Sequence, residues 1–186
     1  MFSERHFPVR FFCYWPQNLK SFSQYELQDH LAIELARTYS QEHGEPFFAA
    51  IGKHAGYDLI SGSGKIKLEL KCDLVALRTG NVCLEYWNTS LSKASGVLAT
   101  TATVWVHIVL EPGGLVSYEY DMDILRKLVI EEGRVKGNGL NSLCKIIPLD
   151  VFRRHARRSF PFRSRFLEDI MNQSAVRPAA EMDYIV

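Results

Sequence analysis

Between residues 66 and 73 the chain alternates strictly. Ile66, Leu68, Leu70 and Cys72 interleave with Lys67, Glu69, Lys71 and Asp73. Successive strand residues point to opposite faces, so this segment predicts a strand with one apolar face and one charged face. Upstream, Leu27, Leu31, Leu35 and Tyr39 recur at helical spacing and predict a helix over residues 24–42, opened by Ser23 and closed by Gly44. A short apolar segment (47–51), a loop (52–56) and a strand (57–60) follow, and Ser61-Gly62-Ser63-Gly64 reads as a turn.

Beyond the alternating strand, Arg78-Thr79-Gly80-Asn81 forms a turn and residues 82–87 the next strand. Residues 92–101 suit a short helix despite Gly96, and the β-branched run 104–110 suits a central strand buried on both faces. After a turn at 111–114, an amphipathic helix covers 121–132, with Asp121 as N-cap and Gly133 as its stop. A Gly/Asn loop (137–141) leads to a last strand over 144–148. This order predicts an α/β fold, a central mixed sheet flanked by helices. The expected organisation is an aromatic and basic arm (1–23), a core (24–152), and a basic segment with a flexible tail (153–186).

Composition narrows the picture. The chain has 186 residues, 47% hydrophobic and 23% charged, enough for a sizeable core without staples. Its net charge is +1, so any attraction to nucleic acid must come from local patches. The four cysteines form no C-x-x-C pair, which argues against zinc and for reduced thiols. The first residues lack the apolar core of a signal peptide, and the run 104–110, interrupted by His107, is too short to cross a bilayer. A cytoplasmic protein without membrane association is expected. Asn88-Thr89-Ser90 is then a chance sequon.

Asp58 and Glu69 sit on two strands joined by a glycine turn, and Lys71 emerges on the face of Glu69. Mg²⁺ takes hard oxygen ligands and retains waters; Asp58, Glu69 and the Leu70 carbonyl can supply three of its positions, with water and a phosphate oxygen completing the shell. Such a metal polarises a scissile phosphate and acidifies a bound water, while Lys71 holds that water and offsets transition-state charge. The competing reading is an edge strand with a solvated charged face.

The segments Leu68-Glu69-Leu70-Lys71-Cys72-Asp73, Thr79-Gly80-Asn81 with Glu85 downstream, Ser95-Gly96, and Thr103-Val104-Trp105 together resemble small phage and bacterial nucleases of the PD-(D/E)xK, restriction endonuclease-like superfamily. The loop Gly137-Asn138-Gly139 and Ile146-Ile147-Pro148-Leu149 add to the likeness, which spans roughly residues 24–150. Tyr57 stands where the superfamily name has proline, and Thr103 where an aspartate is expected. The resemblance implies a Mg²⁺-dependent DNA endonuclease, with Mn²⁺ as substitute and Asp58, Glu69 and Lys71 at the catalytic positions. It also makes a homodimer, joined through the aromatic arm, a reasonable expectation.

Several further residues are candidates. Glu34, at the border of the first helix's apolar stripe, is either a metal-site acid or a salt-bridge partner, with Glu26 as runner-up. Glu85 either joins the site or orients Lys71. Asp73 is expected to pair with a basic side chain. His54 is a phosphate contact or an ordinary loop histidine. Lys93 and Ser95 face DNA if they open a helix, because N-terminal amides suit phosphates. Arg153, Arg154, Arg157 and Arg158 make one basic stripe if helical, serving either DNA contact or solvation. The alternative to an enzyme is a non-catalytic nucleic-acid-binding or assembly protein that keeps the fold.

Overall fold

The computed structural model describes residues 24–50, 56–137 and 141–169. In chain order they form helix α1 (Gln24–His43), strands β1 (Phe47–Ala49), β2 (Leu59–Ser61) and β3 (Lys67–Asp73), and helix α2 (Ala76–Thr79). Strands β4 (Asn81–Asn88) and β5 (Lys93–Ala94), a 3₁₀ turn (Gly96–Leu98), and strands β6 (Val104–Glu111) and β7 (Gly114–Asp121) follow. Helix α3 (Met122–Glu131), strands β8 (Arg134–Gly137) and β9 (Ser142–Pro148), helix α4 (Leu149–Arg154) and strand β10 (Arg158–Pro161) complete the series.

Six strands build a mixed sheet in the order β1-β2-β3-β6-β7-β10, and four build an antiparallel sheet, β5-β4-β9-β8. In the larger sheet β3 and β6 run parallel, with Glu69 beside Trp105 and Lys71 beside His107. Its other pairs are antiparallel. The fold is therefore mixed α/β, a central sheet flanked by helices. No helix among the described residues is long and apolar enough to cross a membrane.

Burial follows the alternation. Leu31, Leu35 and Tyr39 of α1 pack on Leu68 and Leu70 of β3 and on Val104, Val106 and Ile108 of β6. Each such leucine contributes on the order of 2 kcal/mol on leaving water. The opposite parity of β6, Trp105 and Val109, packs with Leu125, Leu128 and Phe152 of α3 and α4 and with Val82 and Leu84 of the second sheet. β6 is buried on both faces, as its apolar run predicts, and β3 lies beside it.

Four expectations change. The short helix at 92–101 is instead an edge strand and a 3₁₀ turn, because Gly96 adopts φ +49° and a Cβ there would meet the Glu85 carbonyl at 2.2 Å. A turn that close to β4 leaves no room for a helix. β7 and β8 were not foreseen; β7 carries Ser117, Tyr118, Glu119 and Tyr120 buried in succession, so it lacks the polar face that marks a strand. The arginine stripe does not form, since α4 ends at Arg154 and the chain turns back as β10. The boundary at 152/153 falls inside the fold, because β10 pairs with β7 and Phe162 and Leu167 join the first core. The arm at 1–23, His54, the tip of the Gly/Asn loop and the tail from residue 170 lie outside the described residues.

The redirected arginines bind carboxylates. Register places Arg158 opposite Glu119. Glu119, fully buried, receives hydrogen bonds from Tyr39, Arg157 and Arg158, the last at 2.8 Å. Arg158 also reaches Glu42 at 2.9 Å and Arg157 reaches Asp121 at 2.8 Å. Arg153 chelates Glu111, with contacts of 2.5 and 3.0 Å. Arg154 makes only an exposed pair with Asp150. Burial pushes the Glu119 pKa up, but the hydrogen bonds from Tyr39 and Arg158 and the two arginine charges outweigh it and hold it below the ordinary carboxylate value.

A carboxyl held low adds stability above its unfolded pKa and loses it as pH falls through the folded value. Glu119→Gln is therefore expected to lower unfolding free energy by about 3 kcal/mol near neutral pH, because two arginines lose their counter-charge and an NH₂ donor replaces one of the two acceptor oxygens. Urea denaturation at neutral and acidic pH checks this: the deficit should shrink in acid, and a pH-independent deficit would contradict it.

Candidate active site

The charged parity of β3 is half-buried, and β3 is an internal strand of its sheet and not the edge strand of the competing reading. Glu69 keeps 13% and Lys71 31% side-chain exposure. Groups so placed need partners, and the fold supplies them from four directions.

From the sheet edge comes Asp58. Its amide donates to the Leu68 carbonyl at 2.7 Å, the last backbone tie of β2 to β3. Its carboxylate Oδ2 then accepts the Leu70 amide at 2.6 Å, the role a continued β2 backbone would fill. A strand residue's amide and carbonyl point to one side, so the Leu70 carbonyl opens on this same edge. From α1, Gln28 Nε2 donates to the same Oδ2 at 2.9 Å.

Beside Asp58, Glu69 Oε1 pairs with Lys71 Nζ at 2.7 Å. Thr100, delivered by the 3₁₀ turn, holds the other oxygen: its Oγ1 lies 3.1 Å from Glu69 Oε2 and 2.7 Å from the Gly56 carbonyl. The single hydroxyl proton therefore faces two acceptors, the nearer Gly56 carbonyl and the Glu69 carboxylate. Arg126 of α3 donates to the Thr100 carbonyl at 3.0 Å.

The electrostatics tie these groups into one field. Burial raises the Asp58 pKa, the Glu69 charge raises it further, and Lys71, the Leu70 amide and Gln28 only partly oppose this. Behind Lys71 lies His107, whose pKa is lowered to about 3 by burial and by the Lys71 charge. The ring is neutral. Its Nδ1 accepts from Trp105 Nε1 at 3.3 Å, leaving the proton on Nε2, which is buried without a partner. Lys71 Nζ sits 5.8 Å from the centre of the Trp105 ring, and Lys67 Nζ 5.2 Å from that of Tyr57.

The structure thus brings Asp58, Glu69, Lys71 and the Leu70 backbone together. Other candidates go elsewhere. Glu34 accepts the Phe166 amide at 3.3 Å, and its second oxygen is buried without a partner. Six residues along a helix turn it about 120° away from Gln28, so Gln28 and not Glu34 meets Asp58. The Glu26 side chain is outside the described residues. Glu85 lies on the second sheet, on the parity opposite the buried Val82 and Leu84, with its charge felt by Cys144. Asp73 accepts the Val75 amide at 3.0 Å, and among the described residues it makes no ion pair. Lys93 is on an edge strand, and Ser95 precedes a three-residue turn with its hydroxyl buried; neither opens an α-helix. Thr103 stitches β3 to β6 by accepting the Lys67 amide at 3.1 Å.

Among the described residues no cluster of three His, Cys, Asp or Glu side chains could hold a metal. The donor set at Asp58 is two carboxylates and a backbone carbonyl. That set offers only hard oxygens and leaves positions for water, which suits Mg²⁺ and not a metal that needs nitrogen or sulfur. Burial is the first cause of the raised Asp58 pKa and the Glu69 charge the second, so the fit rests on the donor set.

No protein-family model matches the chain, and no curated protein matches it. Among solved structures it is similar to that of a bacterial homing endonuclease, with 18% identity and a TM-score of 0.44 over 83% of this chain and 98% of that one. A likeness this distant carries no argument about function or site.

A carboxyl whose folded pKa is raised costs stability as pH rises from its unfolded value through its folded one, and the full cost stands above both. Asp58→Asn removes the charge and keeps an acceptor for Leu70. It is expected to stabilise the metal-free protein near neutral pH by roughly 0.5–2 kcal/mol, as relief of a strained functional site does. Thermal unfolding across pH checks this: the gain should fade in acid, and a destabilised variant would show that Asp58 is structural.

Proposed function

We propose that this chain is a Mg²⁺-dependent DNA endonuclease of the PD-(D/E)xK type, hydrolysing phosphodiester bonds at the edge of its central sheet. One observation carries the reading: Asp58, held on the Leu70 amide, and Glu69, paired with Lys71, converge on one stretch of β3, where a divalent cation would offset the Glu69 charge that adds to burial in raising the Asp58 pKa. Asp58, Glu69 and the Leu70 carbonyl would hold the metal. When bound, Mg²⁺ supplies charge on a phosphate oxygen and a more acidic water.

The chain's own residues do the rest. Gln28 and the Leu70 amide fix the Asp58 carboxylate. Thr100 fixes one oxygen of Glu69 and leaves the other to Lys71. Lys71, confined by Glu69 and the Trp105 ring, presents an ammonium group where an attacking water and a developing phosphorane charge meet. The neutral His107 adds no second positive charge behind it.

The test is cleavage of supercoiled plasmid and branched DNA by the full-length chain with Mg²⁺, against Glu69→Gln and Lys71→Ala. Each variant is expected to lose about a hundredfold or more in rate, the scale of a lost electrostatic group. Cleavage without metal, or full activity in both variants, would refute the reading. DNA binding without cleavage by the wild type would favour a non-catalytic nucleic-acid-binding protein.

A further inference from the structure

Three arginines of this fold are committed to largely buried carboxylates, and Arg126 is not. Arg153, Arg157 and Arg158 spend their donors on carboxylates that keep at most 12% exposure in Glu111 and Glu119. Arg126 does not. Its ion pair among the described residues is to Asp123 at 3.4 Å, and that carboxylate is 98% exposed. A pair so long and so wet contributes little and releases its partner at little cost. Yet the guanidinium is not loose: its side chain is only 34% exposed, and Nη2 is fixed on the Thr100 carbonyl at 3.0 Å.

That carbonyl belongs to the residue whose hydroxyl holds Glu69. Arg126 is thus a fixed cation, one residue away from a carboxylate of the candidate site, with donors left over. A guanidinium carries five N–H groups in a planar fork that matches a phosphodiester. Lys67, on the Glu69 parity of β3 and lying over Tyr57, adds a second positive charge on the same face.

We propose that Arg126 is a substrate-positioning residue that binds a phosphodiester of the nucleic-acid backbone next to the one being cut. The location of the cut rests on the nuclease reading above; the phosphate contact itself does not. Arg126 acts by holding the backbone in register with Asp58, Glu69 and Lys71. It takes no part in bond making. Asp123 is the anion that a phosphate displaces.

The experiment uses the full-length chain and a fluorescently labelled DNA duplex. Binding is measured in chelator across a salt series, and steady-state cleavage is measured with Mg²⁺. Arg126→Gln keeps an amide donor for Thr100 but loses the charge. It is expected to weaken binding about tenfold, to raise KM more than it lowers kcat, and to reduce the slope of log affinity against log salt by about one. Arg126→Lys restores the slope and part of the affinity. Lys127→Gln, one residue along at a 72% exposed position, leaves both near the wild-type values. Asp123→Asn, in the exposed first turn of α3 where loss of its charge costs little stability, tightens binding about twofold, and Glu131→Gln does not; this pair keeps the test open should Arg126→Gln fail to fold.

A wild type that binds no DNA at low salt, an Arg126→Gln indistinguishable from Lys127→Gln, or an Asp123→Asn no tighter than Glu131→Gln would overturn the proposal. Cleavage and binding separate the two claims. If the wild type binds, Arg126→Gln shows the loss and Mg²⁺ gives no cleavage, then hydrolysis fails and the phosphate contact stands. If Mg²⁺ cleavage depends on Glu69 but not on Arg126, the reverse holds.

Discussion

Everything around the site follows from one constraint: β3 has one apolar face buried against α1 and one charged face that is only half-buried. A strand at a solvated edge could leave Glu69 and Lys71 to water. Here β3 beyond Leu68 has the doubly buried β6 on one side and only the Asp58 side chain in place of β2 on the other, so the largely covered Glu69 needs a partner within the protein. Glu69 and Lys71 match each other at 2.7 Å, and Thr100, Asp58 and the Trp105 ring close round them. The balance is incomplete, because Asp58 adds a second negative charge that Lys71 only partly offsets, and the proposed cation would answer it.

The rest of the fold holds that arrangement in place. α1 contributes Leu31 and Leu35 to one face of the sheet and Gln28 to the Asp58 carboxylate, so one helix both seals the core and sets the site. At the far end of α1, Tyr39 and Glu42 are tied through Glu119 and Arg158 to β7 and β10. Buried charge is satisfied there and left in tension at Asp58. Raised proton affinity in one carboxyl and depressed affinity in the other express that difference within a single sheet.

Strict alternation made β3 legible from the sequence, and a continuous apolar run did the same for β6. The neighbouring glycine turn made the meeting of Asp58 with Glu69 legible as well. Contacts set by register between distant segments were not. His107 looked like an interruption of an apolar run, and only the parallel pairing of β3 with β6 puts it beside Lys71. Gln28 was hidden because the carboxylate Glu34 drew attention to a different side of the same helix. The arginines at 153–158 have helical spacing, but the chain leaves the helix at His155, and the charges of Arg153, Arg157 and Arg158 answer largely buried acids in β6 and β7. β7 was missed for the opposite reason to β3: it is buried on both faces while carrying polar residues, so no period shows.

The central claim, that Asp58 and Glu69 form one cation site, is tested most directly by calorimetric titration of the metal-free protein with Mn²⁺ at several pH values. The account predicts one saturable site per chain, abolished by Asp58→Asn and by Glu69→Gln. Its affinity should weaken as pH falls towards the carboxylate range, with proton uptake into the buffer marking release from Asp58. Saturable binding that survives either substitution, or no binding at all, would contradict it.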